Sequence, residues 1–261
     1  MEQRTRVGNG LLAALPPADF ALLAPHLRQV PLERDAVLAR SGDRIDNLLF
    51  PCSGAIALIT DLPNGQTVAT AVIGREAAVG MMSALGIARS PMTAVVRVPG
   101  TALQIKVARF HAALGRSTAI ADAVQSLTKM LLTQFQHVAA CNALHPVEAR
   151  MARWLLQIHD RANGDDLLPL TQETLSELLG VRRTTVTHVV SALRASRAVR
   201  SSRRGSIEID RPRLEALACE CYEVMSRTID QIAFRQTARP HAASARGERH
   251  PPDVPLARTD S

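Results

Sequence analysis

One segment constrains the fold of this chain more than any other, and it reads TQETLSELLGVRRTTVTHVVSALR from Thr171 onward. The Thr171 hydroxyl can cap a helix, because its oxygen accepts a hydrogen bond from the free backbone N–H groups of the first turn. Leu175 and Leu179 lie one turn apart on the face that would be buried. Gly180 then supplies a turn residue that adopts a positive φ freely. A second helix with valines on its buried face follows, so the segment predicts a helix-turn-helix.

The exposed face of the second helix is basic. Between Val181 and Gly205 every formally charged side chain is an arginine, with no Asp or Glu among them. Guanidinium groups bind phosphate oxygens and the O6/N7 edge of guanine in a bidentate manner. We therefore predict that this helix enters the major groove of double-stranded DNA. The predicted DNA-contacting residues are Thr171, Gln172, Arg182, Arg183, Thr184, Thr185, Thr187, His188, Arg194, Arg203 and Arg204.

These residues divide into two expected roles. Arg183, in the first turn, is placed to read guanine, whereas Thr171, Thr185 and Arg194 are placed for phosphates, which fix register without reading sequence. The later segment VRSSRRGSIEID reads as strand, Arg-rich turn and strand, a wing whose two central arginines lie along the DNA backbone. The alternative is an ordinary helical hairpin whose arginines are only solvated.

Composition limits the other function classes. The 261 residues carry a formal charge of +7, which permits a nucleic-acid partner. The first ten residues lack the apolar core of a secretory signal, and no apolar stretch approaches the roughly 20 residues of a membrane span, so we expect a cytoplasmic protein without membrane contact. The four cysteines form no CxxC pair, which argues against a disulfide framework. No nucleophile elbow, P-loop or zinc-protease motif is present, and we expect no enzymatic activity.

The composition and the predicted secondary structure change at three points along the chain. Residues 1–116 combine short helices with β-rich runs and Gly-bearing turns, which predicts a small antiparallel barrel or sandwich. Residues 117–146 predict a long helix, and residues 147–234 predict a helical domain with one hairpin. Residues 235–261 are rich in Pro, Ala and Arg and predict a disordered tail.

The long helix carries apolar residues at alternating spacings of three and four, the pattern of a coiled-coil seam. We predict that it pairs with the same helix of a second copy; packing on its own barrel is the alternative. The predicted seam residues are Ile120, Val124, Leu127, Leu131 and Val138.

The order of short helices, β-roll, long helix and winged helix-turn-helix resembles the Crp-Fnr superfamily of bacterial transcription regulators. The resemblance covers about residues 10–230 and is strongest in HPVEARMARWLLQIHDR, the helix-turn-helix segment, RRGSIEIDR and LEALACECY. It implies an α+β fold with a cyclic-nucleotide-binding-like β-roll, a homodimer on a palindromic site, and contact with RNA polymerase. Arg183, Thr184 and His188 take the places of the family's base-reading residues, although many members carry Arg where His188 stands.

The effector site departs from the family pattern. Nucleotide-binding members follow a glycine with Glu for the ribose, and then supply Arg with Ser or Thr for the cyclic phosphate. Here Gly74-Arg75-Glu76 has an extra residue, and Met92 stands where the phosphate arginine would be. We therefore expect no cyclic nucleotide and no other cofactor, with Glu76 a structural or surface carboxylate. The candidate effector-binding residues are Glu76, Arg89, Ser90 and Thr93.

One group of possible metal ligands lies on the long helix. His137, Cys141 and His145 recur at every fourth residue, which is compatible with ligation across a dimer seam. We favour the alternative that Cys141 is a small packed residue, and expect no metal. Cys219 and Cys221 are placed on opposite sides of a predicted helix, which argues against joint ligation.

The leading hypothesis is thus a sequence-specific DNA-binding transcription regulator. The alternative is a ligand-sensing or protein-interaction module that no longer reads DNA specifically. Selectivity among duplexes distinguishes the two, because phosphate attraction alone gives no sequence preference.

Overall fold

The computed structural model describes residues 8–162, 164–201 and 205–237. They form an N-terminal β-roll, one long helix and a C-terminal helical domain with a small sheet, which is the α+β fold predicted. No helix in the described part of the chain is long and apolar enough to cross a membrane. Of the predicted tail, residues 235–237 continue the last helix, and residues 238–261 lie outside the described ranges.

Seven strands build the β-roll. They are β1 (Arg28–Leu32), β2 (Val37–Ala39), β3 (Asn47–Pro51), β4 (Ala55–Asp61), β5 (Thr67–Ile73), β6 (Thr93–Val98) and β7 (Gly100–Lys106). They pair antiparallel in two sheets, ordered β1-β7-β3 and β2-β6-β4-β5. The β4–β5 hairpin turns at residues 62–65, where Gly65 has a φ of +79°.

Strand β4 explains how the roll meets the rest of the chain. Ile56 and Leu58 point into the interior of the roll, and Ala55, Ala57 and Ile59 point into a second core shared with the C-terminal domain. Both faces of this sheet are therefore buried, which is why β4 is a nearly continuous apolar run rather than an alternating one.

Three short helices and one long helix flank the roll. The short helices are α1 (Gly10–Ala13), α2 (Pro17–Leu23) and α3 (Val107–Leu114), and the long one is α4 (Thr118–Leu144). The Ser117 hydroxyl oxygen accepts from the backbone N–H of Ile120 and starts α4. The helix ends at His145, whose extended backbone (ψ of 145°) is the conformation favoured before a proline.

The predicted dimer seam on α4 is wrong. All five of its residues are buried within the single chain, between 1% and 7% exposed. The first four belong to the core of the roll, and Val138 belongs to the core shared with the C-terminal domain; the full set is Ile120, Val124, Leu127, Leu131 and Val138. The heptad spacing identified the buried face correctly, but the surface that buries it is the chain's own.

The described residues of the C-terminal domain form five helices and three short strands. The helices are α5 (Val147–Arg161), α6 (Gln172–Leu179), α7 (Arg183–Ala195), α8 (Arg211–Leu217) and α9 (Cys221–Thr237). The strands β8 (Leu167–Leu168), β9 (Val199–Ser201) and β10 (Ile207–Ile209) pair in the order β8-β10-β9. Trp154, on α5, is 1% exposed and lies in the middle of the core, and α9 packs along α4.

Two buried arginines join the β-roll to the C-terminal domain. Arg97, on β6, pairs with Asp35 of the roll at 3.2 Å and with Glu177 of α6. Arg161, at the end of α5, binds Glu76 of the roll through both Nη2 (2.7 Å) and Nε (2.8 Å). The two pairs cross the domain boundary at different places, so they fix the orientation of one domain on the other.

The burial of α4 generates a prediction about Leu127→Ala. Loss of a fully buried leucine should lower the free energy of unfolding by about 2–5 kcal/mol. Because Leu127 lies in the core of its own chain, the loss should be the same at all protein concentrations, whereas a dimer-seam residue would make it concentration-dependent. Urea denaturation at several concentrations measures this. Leu62→Ala, in an exposed hairpin, is the control and should change stability by at most about 0.5 kcal/mol.

Candidate nucleic-acid interface

Helices α6 and α7 form the predicted helix-turn-helix. The Thr171 Oγ1 accepts from the backbone N–H of Thr174 at 3.1 Å and caps α6. Gly180 closes the helix with a φ of +63°, and the Ser176 hydroxyl donates to the Val181 carbonyl at 2.5 Å across the turn. The cap and the glycine predicted from the sequence are confirmed at these positions.

The turn is also held from outside the motif. Arg150, on α5, donates from Nη2 to the Leu179 carbonyl at 2.7 Å and satisfies a carbonyl at the end of α6. Behind the turn, the apolar faces of both helices are buried; these residues are Leu175, Leu178, Leu179, Val186, Val189, Val190 and Leu193. Arg150 carries no signal in the motif itself, since it comes from a different helix.

The outer face of α7 presents the predicted reading residues to solvent. Thr185 is half-buried, and the rest of the predicted set on this segment is exposed: Arg182, Arg183, Thr184, Thr187, His188 and Arg194. The helix begins directly after Arg182 and has no side-chain cap, so its first backbone N–H groups are free for an anion. One exposed helix face thus combines bidentate donors with hydroxyl groups.

Two contacts inside the motif occupy predicted DNA ligands. Arg183 pairs with Glu173 at 2.8 Å, with both side chains more than half exposed. The Thr187 hydroxyl lies 3.2 Å from Gln172 Oε1 and 3.0 Å from the Arg183 carbonyl. An exposed ion pair of this kind contributes little to stability, so DNA can replace Glu173 as the partner of Arg183.

The predicted wing is formed by β9 and β10. Their register pairs Arg200 with Glu208, and the two side chains lie 3.7 Å apart on the surface. The predicted backbone-contacting residues Arg203 and Arg204 fall outside the described residues.

Glu76, a candidate effector ligand, has a structural role. Its Oε1 accepts from the Gly74 backbone N–H at 3.0 Å and from the Arg161 guanidinium. The side chains of Glu76 and Arg161 are 12% and 6% exposed. This carboxylate holds the domains together, which agrees with the structural reading of Glu76.

The other three candidates lie near the β2–β3 turn. Arg89 donates to the Gly42 carbonyl at 2.8 Å, and the Ser90 hydroxyl donates to the Met92 carbonyl at 2.6 Å. The Thr93 hydroxyl donates to Asp61 Oδ2 at 2.5 Å. Among the described residues, no hydrogen bond or ion pair connects these three to Glu76, so the structure gives the four candidates no common site.

A cleft of about 400 Å³ lies between the roll and α6. Thr171 lines it together with Thr93, and carboxylates of both domains and two guanidinium groups of the roll surround them. Thr171 therefore faces the roll as well as the DNA side of the motif. The lining includes Asp35, Arg40, Asp61, Arg97, Glu173 and Glu177.

The metal candidates of the sequence are only partly brought together. Cys141 and His145 lie in one cluster with Cys219 and Cys221, with one donor atom of each within 4.8 Å of all the others, and His137 is not part of it. The expectation that Cys219 and Cys221 lie on opposite sides of a helix is wrong. Cys219 precedes α9, which begins only at Cys221, so the connecting chain turns both thiols to the same side.

The cluster is electrostatically distinct. The hydrogen bond with Cys219 lowers the pKa of the Cys141 thiol, and the Arg153 guanidinium lowers it further. The same hydrogen bond raises the pKa of Cys219, because the pair holds one proton more readily than none. A hydrogen bond with Cys141 raises the pKa of His145, and Glu220 adds to this shift.

The comparisons with known proteins agree with this architecture. Residues 29–117 match the model of the cyclic nucleotide-binding domain, and residues 149–217 match the model of the Crp-like helix-turn-helix domain. No curated protein matches the chain closely in sequence.

Solved structures share this fold over about three quarters of the chain. FixK2 from Bradyrhizobium japonicum is 17% identical, with a TM-score of 0.62, covering 74% of this chain and 98% of its own. A putative Crp/Fnr-family transcriptional regulator from Eubacterium rectale is 19% identical, with a TM-score of 0.63 and coverages of 79% and 96%. The c-di-GMP-responsive regulator CLP from Xanthomonas campestris is 16% identical, with a TM-score of 0.60 and coverages of 74% and 99%.

The chain therefore belongs to the Crp-Fnr superfamily, and it is a DNA-binding transcription regulator. The family resemblance stated from the sequence is confirmed.

The geometry of α7 generates a prediction about two of its arginines. Arg183→Ala should weaken the best DNA site by about 1–3 kcal/mol and relax selection at one base position, because a bidentate base contact is lost. Arg194→Ala should weaken all sequences to a similar extent and reduce the salt dependence, because a phosphate contact is lost. Fluorescence anisotropy on selected and randomised duplexes at several salt concentrations measures both. Identical profiles for the two variants would contradict this division of roles.

Proposed function

We propose that this regulator binds a two-fold symmetric DNA site as a homodimer and controls transcription there. The observation that carries the proposal is the exposed arginine-rich first turn of α7, presented by a rigid helix-turn-helix. In a major groove, this turn would bring Arg183, Thr184 and His188 to base edges. The half-sites would then lie about one helical turn of DNA apart.

Contacts that fix the protein on the phosphate backbone come from around this turn. We assign Thr171, Thr185 and Arg194 to phosphates, and the wing arginines Arg203 and Arg204 to the backbone beside the site on the basis of the sequence. Gln172, Arg182 and Thr187 border the same surface and complete the set. All of these act through hydrogen bonds that do not depend on base identity.

The dimer surface we propose is the exposed face of α4, opposite to the one predicted from the sequence. Exposed residues recur along it at alternating spacings of four and three, which would place them on a seam with the same helix of a second copy. Leu132 is 56% exposed at the middle of this face, a large apolar side chain that a partner helix would cover. The face consists of Gln125, Lys129, Leu132, Gln136, Ala139 and Ala143.

We propose further that cyclic nucleotides are not the effector. The family's ribose carboxylate corresponds to Glu76, which is already bound to the buried Arg161. A ribose hydroxyl would have to displace that guanidinium and leave it buried without a charged partner, which typically costs about 3–5 kcal/mol. By family, we also expect contact with RNA polymerase, a location in the cytoplasm and no catalytic activity.

The dimer proposal is tested with Leu132→Arg. Two arginines facing each other across the seam should raise the dimer dissociation constant by about 100-fold or more, because like charges in an interface cost several kcal/mol. Sedimentation equilibrium gives the constant. A mobility-shift assay should show weaker binding to a two-half duplex and unchanged binding to a single half-site. Leu62→Arg is the control and should leave both unchanged.

This assay also decides between the leading function and its alternative. Wild-type protein that prefers no duplex over random sequence at any salt concentration would contradict specific DNA reading. Wild-type protein that binds one half-site as tightly as two would contradict the dimer.

The ion pair of Glu76 generates a separate prediction. Glu76→Gln should lower the free energy of unfolding by about 3 kcal/mol, because Arg161 loses its charged partner in a largely buried site. Urea denaturation measures this loss. Equilibrium dialysis with cyclic AMP should find no binding by the wild type; micromolar binding that the substitution abolishes would contradict the structural role of Glu76.

A further inference from the structure

A cluster of three cysteines and one histidine lies where the C-terminal end of α4 meets the start of α9. Cys141 is in the last turn of α4, and His145 caps that helix. Cys219 lies in the α8–α9 connection, and Cys221 is the first residue of α9. All three cysteines are buried, at 0%, 8% and 6% exposure.

The four donor atoms of the cluster lie close together. The sulfurs of Cys141 and Cys219 lie 3.5 Å apart, and the sulfur of Cys221 lies 3.7 Å from Nδ1 of His145. All four atoms lie within 4.8 Å of one another. A tetrahedral zinc ion with Zn–S bonds of about 2.3 Å requires sulfur–sulfur edges of about 3.8 Å, so the cluster has the right size for one ion.

Glu220 orients the histidine for this role. Its Oε1 lies 3.1 Å from Nε2 of His145, which leaves Nδ1 directed toward the thiols. A histidine that binds a metal through one nitrogen almost always gives its other N–H to a carboxylate, a carbonyl or water. Glu220 stands between the two cysteines in the sequence, so the same short segment supplies two ligands and the residue that fixes a third.

A buried cation next to the cluster calls for negative charge there. Arg153, on α5, is 0% exposed, and its Nη1 donates to Gln157 Oε1 at 2.9 Å. Its Nε and Nη2 are buried and have no hydrogen-bond partner, carboxylates included, among the described residues. It lies over the Trp154 ring at 4.3 Å and acts electrostatically on Cys141.

An unpaired charge in a protein interior is strongly unfavourable. Three thiolates around one divalent zinc ion carry a net charge of −1, which would offset the positive charge of Arg153 and also act favourably on the buried Arg150, which interacts with Cys141 and Cys219. A zinc site would thus neutralise the buried guanidinium charge. This charge argument does not depend on the distances among the ligands.

We propose that Cys141, His145, Cys219 and Cys221 bind one zinc ion in a closed site that joins α4 to α9. Binding displaces the thiol protons, and the metal takes its four ligands from the protein, which leaves no open position for substrate. The site is therefore structural. It fastens the long helix to the C-terminal domain directly beside the His145–Pro146 joint that connects them.

The test uses the full chain, purified with reduced thiols and without chelator, and its zinc content measured by elemental mass spectrometry. We expect about one zinc per chain in the wild type and less than about a tenth of that in Cys141→Ser, Cys219→Ser and Cys221→Ser, since the ligand set is then incomplete. The matched controls are Cys52→Ser and His137→Ala, the cysteine and the α4 histidine outside the cluster, and both should keep the metal.

A second measurement uses only the wild type and does not depend on the folding of a variant. Cobalt(II) added to metal-free protein should give the visible absorption bands of a tetrahedral thiolate complex, and added zinc should remove them. Zinc-loaded wild type that loses its metal on dialysis would overturn the proposal. So would equal loss in Cys52→Ser and Cys141→Ser, or a Cys141–Cys219 disulfide in protein prepared without oxygen. None of these readouts involves DNA.

Discussion

The rest of the structure depends on the two-sided burial of the β2-β6-β4-β5 sheet. One face closes the core of the roll, and the other packs against the domain that carries the helix-turn-helix. Because apolar burial is the dominant favourable term in folding, this shared sheet makes the two domains one folding unit rather than two units on a linker. The helix α4 runs alongside and contributes to both cores, and the reading helix α7 therefore inherits its position from the roll.

Charge refines what apolar packing begins. Arg97 and Arg161 cross the domain boundary and meet carboxylates from the other side, and Arg150 satisfies a carbonyl inside the DNA-reading motif. Removing one partner of such a buried pair costs far more free energy of folding than forming the pair contributes. These contacts consequently specify one relative orientation of the domains more than they add to its stability. A sensor that changes that orientation has to exchange these partners for others.

What the sequence could predict was the local part of the site. The Thr171 cap, the Gly180 turn and the exposed arginines of α7 depend on neighbours within a few residues, and their geometry follows from backbone conformation alone. The periodicity of α4 revealed which face is buried, but it could not reveal what covers that face, because a coiled-coil partner and a β-roll select the same apolar residues. The apolar face of α4 was predicted to pack on a second copy, but it packs on the chain's own cores.

The long-range contacts could not be predicted from the sequence, because their partners are far apart in the chain. Arg161 lies 85 residues from Glu76, and Cys219 lies 78 residues from Cys141. The spacing on α4 indicated His137 and Cys141 as possible ligands, whereas the cysteines that complete the cluster lie at the start of α9. Sequence spacing compares residues within one helix, whereas the cysteine–histidine cluster forms where the ends of two helices meet.

The ion pair between Arg183 and Glu173 has one more consequence. In the free protein, the Arg183 guanidinium is paired with Glu173. A DNA acceptor therefore has to replace a carboxylate, and not only water, as the partner of Arg183. A guanine edge that offers two aligned acceptors can win this exchange, whereas a base with poorer geometry gains less than it displaces. Because the exposed pair is weak, Glu173 would be a modest competitor for Arg183, and its effect would be largest for the poorly matched sequences, whose contacts gain least.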